Sequence, residues 1–283
     1  MSSRRLDARF EAFDGHRSVV VRWQPPAAPR ARALFVPAFG DEMNQMRRMV
    51  KLAAEALTER GVASCTFDLY GTGDSSADFA DATVERWLAD CRAMVERLDV
   101  PEPTPLALIG CRLGAALAAR VSHELPRKPA VLVAWAPVLQ GRQQLSAMLR
   151  AASIARLQRP EDISPDPKAL WAQGRVAMLA GYPVSHELAE QLEALDATAP
   201  PAVASAVLFD LRAPVGGEAV TASEAMAKRA AAWTGQGVPT VARAVAGPAF
   251  WNVADLVDVP ELVDATVDAV TAAIGATLPG AGP

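Results

Sequence analysis

The chain has 283 residues, 51% of them apolar and 21% charged, enough for one large α/β domain or two small ones around a packed core. A net charge of −4 and a pI near 5.5, with arginines scattered rather than clustered, exclude a nucleic-acid-binding surface. Cys65, Cys91 and Cys111 form no C-x-x-C pair, which argues against a structural metal or disulfide framework, and no apolar run is long enough for a secretory signal or membrane insertion.

In chain order, "RFEAFDGHRSVVVRW" alternates around Asp14-Gly15 and predicts a β-hairpin. After the linker "PPAAPR" comes a short strand, "ARALFVPAF". Met43, Met46, Val50, Ala53 and Leu57 then recur at three- and four-residue steps before Gly61, the pattern of an amphipathic helix with a glycine stop. "VASCTFDL" is the next strand, ending at Asp68, and "YGTGDSSADFAD" is a turn-rich loop. Val84, Trp87, Leu88, Cys91, Met94 and Leu98 mark the buried face of a second helix. A strand at Leu106–Ile109, a small-residue helix to about Leu125 and the apolar strand "PAVLVAWAP" follow.

From about Gly141 to Pro201 the alternation stops, and an amphipathic helical stretch carries Arg142, Arg150, Arg156 and Arg159. Strands resume at "VASAVLFDL" and "VPTVARAV", separated by a helix at about Ala222–Trp233; a last helix spans Pro260–Ile274. The expected organisation is therefore α/β, with a core over 1–140 and 202–275, a helical cap over 141–201 and a frayed tail over 276–283.

The informative stretch is Gly110-Cys111-Arg112-Leu113-Gly114, between an apolar strand and a small-residue helix. That is where an α/β hydrolase carries its nucleophile, in a G-x-S-x-G turn. The order of elements agrees, so the expected fold is the α/β-hydrolase fold, a doubly wound, mostly parallel sheet with an inserted helical cap. Here arginine stands at the serine position. A guanidinium stays protonated and has no lone pair with which to attack a carbonyl. Cys111 is adjacent, but only the third residue of such a turn projects into the pocket, so Cys111 reads as a buried structural thiol. Ser75, Ser153 and Ser223 match the small-x-Ser-x-small pattern only loosely; Ser153 and Ser223 fall inside predicted helices.

No histidine follows the last strand, where the fold normally places its base; that loop is Gly247-Pro248-Ala249-Phe250-Trp251. His16 is expected at a solvated hairpin turn, His123 near a helix end and His186 in the cap after Ser185. Main-chain donors do not depend on side-chain identity, so the amides of Phe39 and Leu113 are candidates for an oxyanion hole. Arg112 needs a partner in a pocket. One reading is an internal ion pair with Glu42, Asp68 or Asp210; the other is an anion site. Candidate ligand-binding residues are Arg112, Glu42, Asn44, Asp68, Asp74 and Trp251, with no metal and no cofactor.

The segments "VPAFGDEMNQMRRMV", "FDLYGTGDSSADFADATVERWLADC", "GCRLGA" and "GPAFW" resemble the exosortase A system-associated hydrolase 2 family. Glu42-Met43-Asn44 and Asp68-Leu69-Tyr70-Gly71 match it, and arginine is the usual residue at its elbow. Ala38 and Gly40 depart from the bulkier or acidic residues expected in that loop. The resemblance implies a cytoplasmic accessory role in bacterial loci for exopolysaccharide and protein sorting, and it supplies no substrate. Two functions are consistent with the residues. One is a hydrolase or acyl-transfer protein acting on esters or thioesters; the other is a catalytically silent protein that binds a small acyl or anionic ligand or a partner.

Overall fold

The computed structural model describes residues 5–98, 104–158, 165–214, 219–253 and 255–277. Strands β1 (Arg5–Phe13) and β2 (His16–Gln24) form the expected hairpin, with Phe13 opposite His16 across Asp14-Gly15. There follow β3 (Ala31–Val36), α1 (Asp41–Glu59), β4 (Val62–Phe67), α2 (Val84–Arg97), β5 (Leu106–Cys111), α3 (Gly114–Ser122) and β6 (Val131–Trp135). Between β6 and the next sheet strand lie α4 (Gly141–Gln158), α5 (Pro167–Ala172), β7 (Ala177–Leu179), β8 (Tyr182–Val184) and α6 (His186–Ala194). The chain closes with β9 (Ala206–Arg212), α7 (Glu224–Gly235), β10 (Thr240–Ala246) and α8 (Pro260–Thr277).

Eight strands form one sheet in the order β1-β2-β4-β3-β5-β6-β9-β10. From β4 to β10 all neighbours are parallel, and β2 runs antiparallel to both β1 and β4. A parallel sheet needs helices on both faces, and the apolar residues divide accordingly. The core on one side includes Met46, Met49 and Leu57 of α1 with Leu262 and Val270 of α8. The opposite core includes Trp87, Cys91 and Met94 of α2, Leu117 of α3 and Trp233 of α7. All five apolar positions predicted to face inward on α1 are buried; on α2, Leu88 is half-buried and the other predicted positions are buried.

The expected α/β-hydrolase fold is what the chain adopts, with one difference in the region expected to be helical throughout. Between α5 and α6 it makes a two-stranded antiparallel hairpin, β7-β8, in which Ala177 pairs with Val184 and Leu179 with Tyr182. Ala180 and Gly181 both take positive φ, 49° and 85°, the backbone that a two-residue hairpin turn demands. Arg159 and residues 278–283 of the expected tail lie outside the described residues. No helix among the described residues is long and apolar enough to cross a membrane.

Candidate active site

The elbow joins β5 to α3, and its two glycines are required by contact. A Cβ at Gly110 would lie 2.4 Å from the Ala115 Cα, and one at Gly114 would lie 2.3 Å from the Pro37 carbonyl oxygen. The start of α3 thus abuts the loop after β3. Arg112 sits between these glycines with φ 53°, a left-handed conformation costly for a residue with a Cβ. The turn holds it there: the Arg112 amide donates to the Trp135 carbonyl at 3.0 Å, and the Arg112 carbonyl accepts from Ala115 and Val138. The strained backbone of a nucleophile elbow is intact although its side chain cannot attack.

The guanidinium is held from three sides. Its Nε donates to Glu42 Oε1 at 3.0 Å, its Nη1 donates to the Ala136 carbonyl at 2.8 Å, and its centre lies 4.7 Å from the Trp251 ring centroid. Nη2 donates to no acceptor among the described residues. Of the three acids expected as partners, Glu42 is therefore the one engaged. Burial pushes the Glu42 carboxyl above its ordinary range, and the adjacent Arg112 charge pulls it back down. Glu42 Oε2 is buried and has no hydrogen-bond partner among the described residues.

The other two acids are committed elsewhere. Asp68, buried at the end of β4, accepts from Arg47 Nη2 at 2.9 and 3.0 Å and from the Asp74 amide at 2.9 Å. Asp210 accepts from the Ser223 amide at 2.7 Å. Neither neutralises Arg112. Arg47 carried no signal in the sequence beyond its place one turn after Asn44 on an amphipathic helix.

Trp251 caps the guanidinium, as its place in the ligand-binding set anticipated. Asn44 and Asp74 are exposed on a different cleft, of about 590 Å³, which they line with Arg47, Phe79 and Tyr182. The predicted set thus separates into Arg112, Glu42 and Trp251 at the elbow, Asp68 paired to Arg47, and Asn44 with Asp74 facing the second cleft.

Phe39 and Leu113 are both buried. The amides of neither donate to a protein acceptor among the described residues. The Phe39 ring packs between Phe79, Trp87 and Tyr182, with centroids 5.1–6.0 Å away. Tyr182, from β8, also donates its hydroxyl to Asp41 Oδ1 at 2.8 Å, tying the small hairpin to the start of α1.

The remaining nucleophile candidates are all occupied structurally. Cys111 is fully buried, and burial alone drives its thiol far above the ordinary range. Ser75 Oγ accepts from the Gly71 and Ala77 amides inside its loop. Ser153 donates to the Leu149 carbonyl within α4. Ser223 lies one residue ahead of α7 rather than inside it, and its hydroxyl accepts from the Met226 amide as an N-cap.

His123 caps the end of α3 and His186 begins α6 behind Ser185, both exposed, as expected. His16 differs. Instead of being solvated it is buried between Phe13 and Tyr70, with Nε2 3.6 Å from Asp90 Oδ1. The hairpin turn folds against α2, and that nonlocal packing outweighs the local signal of a turn.

A protein-family model for the α/β hydrolases of the serine aminopeptidase S33 type matches residues 27–241, well over half of the chain. The chain belongs to this hydrolase family. Its elbow and the strands that present it all lie inside the matched region. No curated protein matches the sequence. Among solved structures, Est1E from Butyrivibrio proteoclasticus, in a complex with ferulic acid, is 16% identical over 94% of this chain and 99% of its own, with a TM-score of 0.67. A soluble variant of monoglyceride lipase from Saccharomyces cerevisiae is 13% identical over 96% of each chain, with a TM-score of 0.64. A hydrolase from Agrobacterium vitis is 18% identical over 96% of this chain and 99% of its own, with a TM-score of 0.61. At these identities the likeness concerns the fold.

Proposed function

We propose that this member of the hydrolase family binds an acyl or anionic small molecule at its elbow without cleaving it. The observation that carries the reading is the Arg112 guanidinium, seated where attack would begin and held by Glu42, the Ala136 carbonyl and Trp251. A permanently protonated group cannot act as nucleophile or base. Its free Nη2, together with the Phe39 and Leu113 amides, forms a set of donors suited to a carboxylate, phosphate or polarised carbonyl oxygen.

A second reading, turnover of an ester or thioester, draws on one specific feature. The buried Oε2 of Glu42 has no partner among the described residues, and burial raises its carboxyl above the ordinary range, which strengthens it as a base toward water. The segments quoted above support placement in the exosortase A system-associated hydrolase 2 family, and with it a cytoplasmic accessory role. The experiment presents short activated esters and acyl thioesters to the wild type, Arg112→Ala, Glu42→Gln and Cys111→Ala. Binding without turnover predicts no hydrolysis by any of the four and an anion-dependent rise in melting temperature that Arg112→Ala abolishes. Hydrolysis lost in Glu42→Gln would establish the second reading instead.

A further inference from the structure

A further cavity, of about 240 Å³, lies between α1 and the sheet. Its lining includes Val21, Thr66 and Phe67 from the sheet, Met43, Met46 and Val50 from α1, and Cys111, which is itself fully buried. Cys111 precedes Arg112 in the elbow, but Arg112 itself is not among the lining residues. The charged lining comprises Arg47 and Lys51 at the rim and Asp68, a buried carboxylate that accepts from Arg47 Nη2 at 2.9 and 3.0 Å. Arg47 and Lys51 stand one helical turn apart on α1, and both side chains are substantially exposed. Lys51 makes only a loose contact with Glu55, 3.8 Å away, and the Arg47 Nε and Nη1 groups stay unengaged among the described residues. Leu6, 60% exposed, completes the rim from β1.

The walls are largely apolar, and the two cations Arg47 and Lys51 outnumber the single Asp68 carboxylate, so the mouth keeps one net positive charge and suits an amphiphile with an anionic head. We propose that this cavity binds the alkyl chain of a fatty carboxylate, tail inward against the methionines and carboxylate outward between Arg47 and Lys51. A chain of about eight carbons fills the volume, each methylene taking roughly the space of one water. The two methionines are unbranched and pliable, so they can close around a flexible chain. A polar ligand would lose most of its hydration against the methionine, valine and phenylalanine walls. A cationic amphiphile would meet Arg47 and Lys51 at the opening. The inference does not rest on the elbow's function, since Arg112 does not line this cavity.

The test is titration of the purified chain with butanoate, hexanoate, octanoate and 1-octanol, read by calorimetry and by melting temperature. The expected result is affinity that climbs from butanoate to octanoate, with octanol weaker than octanoate. Val50→Phe, which fills the slot, should weaken octanoate about tenfold or more. Lys51→Glu, a surface change that leaves the core untouched, should weaken it about threefold to fivefold at low salt and leave octanol unchanged. Arg112→Ala should keep the gain in affinity from butanoate to octanoate even where a response common to all the carboxylates is lost, which separates this site from the elbow. Absence of octanoate binding would overturn the proposal. So would a chain-length dependence that survives both Val50→Phe and Lys51→Glu, or one lost only in Arg112→Ala.

Discussion

The guanidinium of Arg112 lies 4.7 Å from the centroid of the Trp251 indole ring. These residues come from the turn after β5 and the loop after β10, the two places where a hydrolase of this fold presents its nucleophile and its base. Here the same two loops meet through a cation and a π face, and Glu42 supplies the opposite charge from α1. Trp251→Ala should therefore loosen the guanidinium at a cost of about 0.5–2 kcal/mol in stability; denaturant unfolding measures it.

Removing one member of the Arg112–Glu42 pair should cost more than removing both. Glu42→Ala leaves a largely desolvated cation, at about 1–3 kcal/mol. The double variant Arg112→Met, Glu42→Leu should recover most of that loss, because apolar replacements carry no charge to desolvate. Arg112→Gly should be more stable than Arg112→Ala by about 1 kcal/mol, since glycine takes φ 53° without strain. Chemical denaturation of the four variants separates the charge effect from the backbone effect.

The buried pair His16 and Asp90 predicts a pH dependence. Burial raises the Asp90 carboxyl to about 7, and burial also lowers the His16 imidazole below its ordinary value. Asp90 binds its proton more tightly folded than unfolded, so its contribution is fully present below about pH 4 and is lost as pH rises through about 7. His16 acts in the opposite sense: its contribution is present above about pH 6.5 and is lost as pH falls through its lowered value. The groups facing the pair are Asp14, Arg86 and Arg97. Asp90→Asn keeps an acceptor for the Tyr70 amide, which donates to Asp90 Oδ2 at 2.7 Å. It should flatten the decline in stability between about pH 4 and 7, measured by unfolding at several pH values.

Gly114 and Gly174 should respond to alanine differently. At Gly114 the new methyl would meet the Pro37 carbonyl oxygen at 2.3 Å and force α3 away from the loop after β3. That overlap should cost about 3 kcal/mol or more. Gly174 has φ +68° but nothing within 4 Å, so only backbone strain remains, about 1 kcal/mol. Thermal unfolding of the two single variants tests the contrast.

Tyr182→Phe should keep the ring between Phe39 and Phe79 while deleting the hydrogen bond to Asp41. The expected loss is about 0.5–1.5 kcal/mol. Amide exchange should accelerate across 177–184 and stay unchanged in the central strands.

Much of the architecture was legible in the residues because it rests on local periodicity. Apolar runs marked β5 and β6, three- and four-residue steps marked α1 and α2, and Asp14-Gly15 marked the hairpin. The elbow was legible because its glycine spacing is a known turn pattern, although Gly114 answers a nonlocal contact with Pro37, and Glu42 stood among Arg112's possible partners on charge grounds. What escaped is nonlocal. His16 reads as a turn residue until α2 is folded against it, and Arg47 has no recognisable role until β4 brings Asp68 beside it. The β7-β8 hairpin had a signal in Ala180-Gly181, obscured because strands of three residues show too little alternation to compete with neighbouring helical patterns.

All three thiols lie at 0% exposure in strands or helices on which the two cores are built, Cys65 in β4, Cys91 in α2 and Cys111 in β5. An alkylating reagent can reach none of them while the sheet layers stay closed. The native chain therefore carries three internal clocks, at three separate points of the scaffold. Their individual rates of capture by a maleimide would register which layer parts first when the molecule opens.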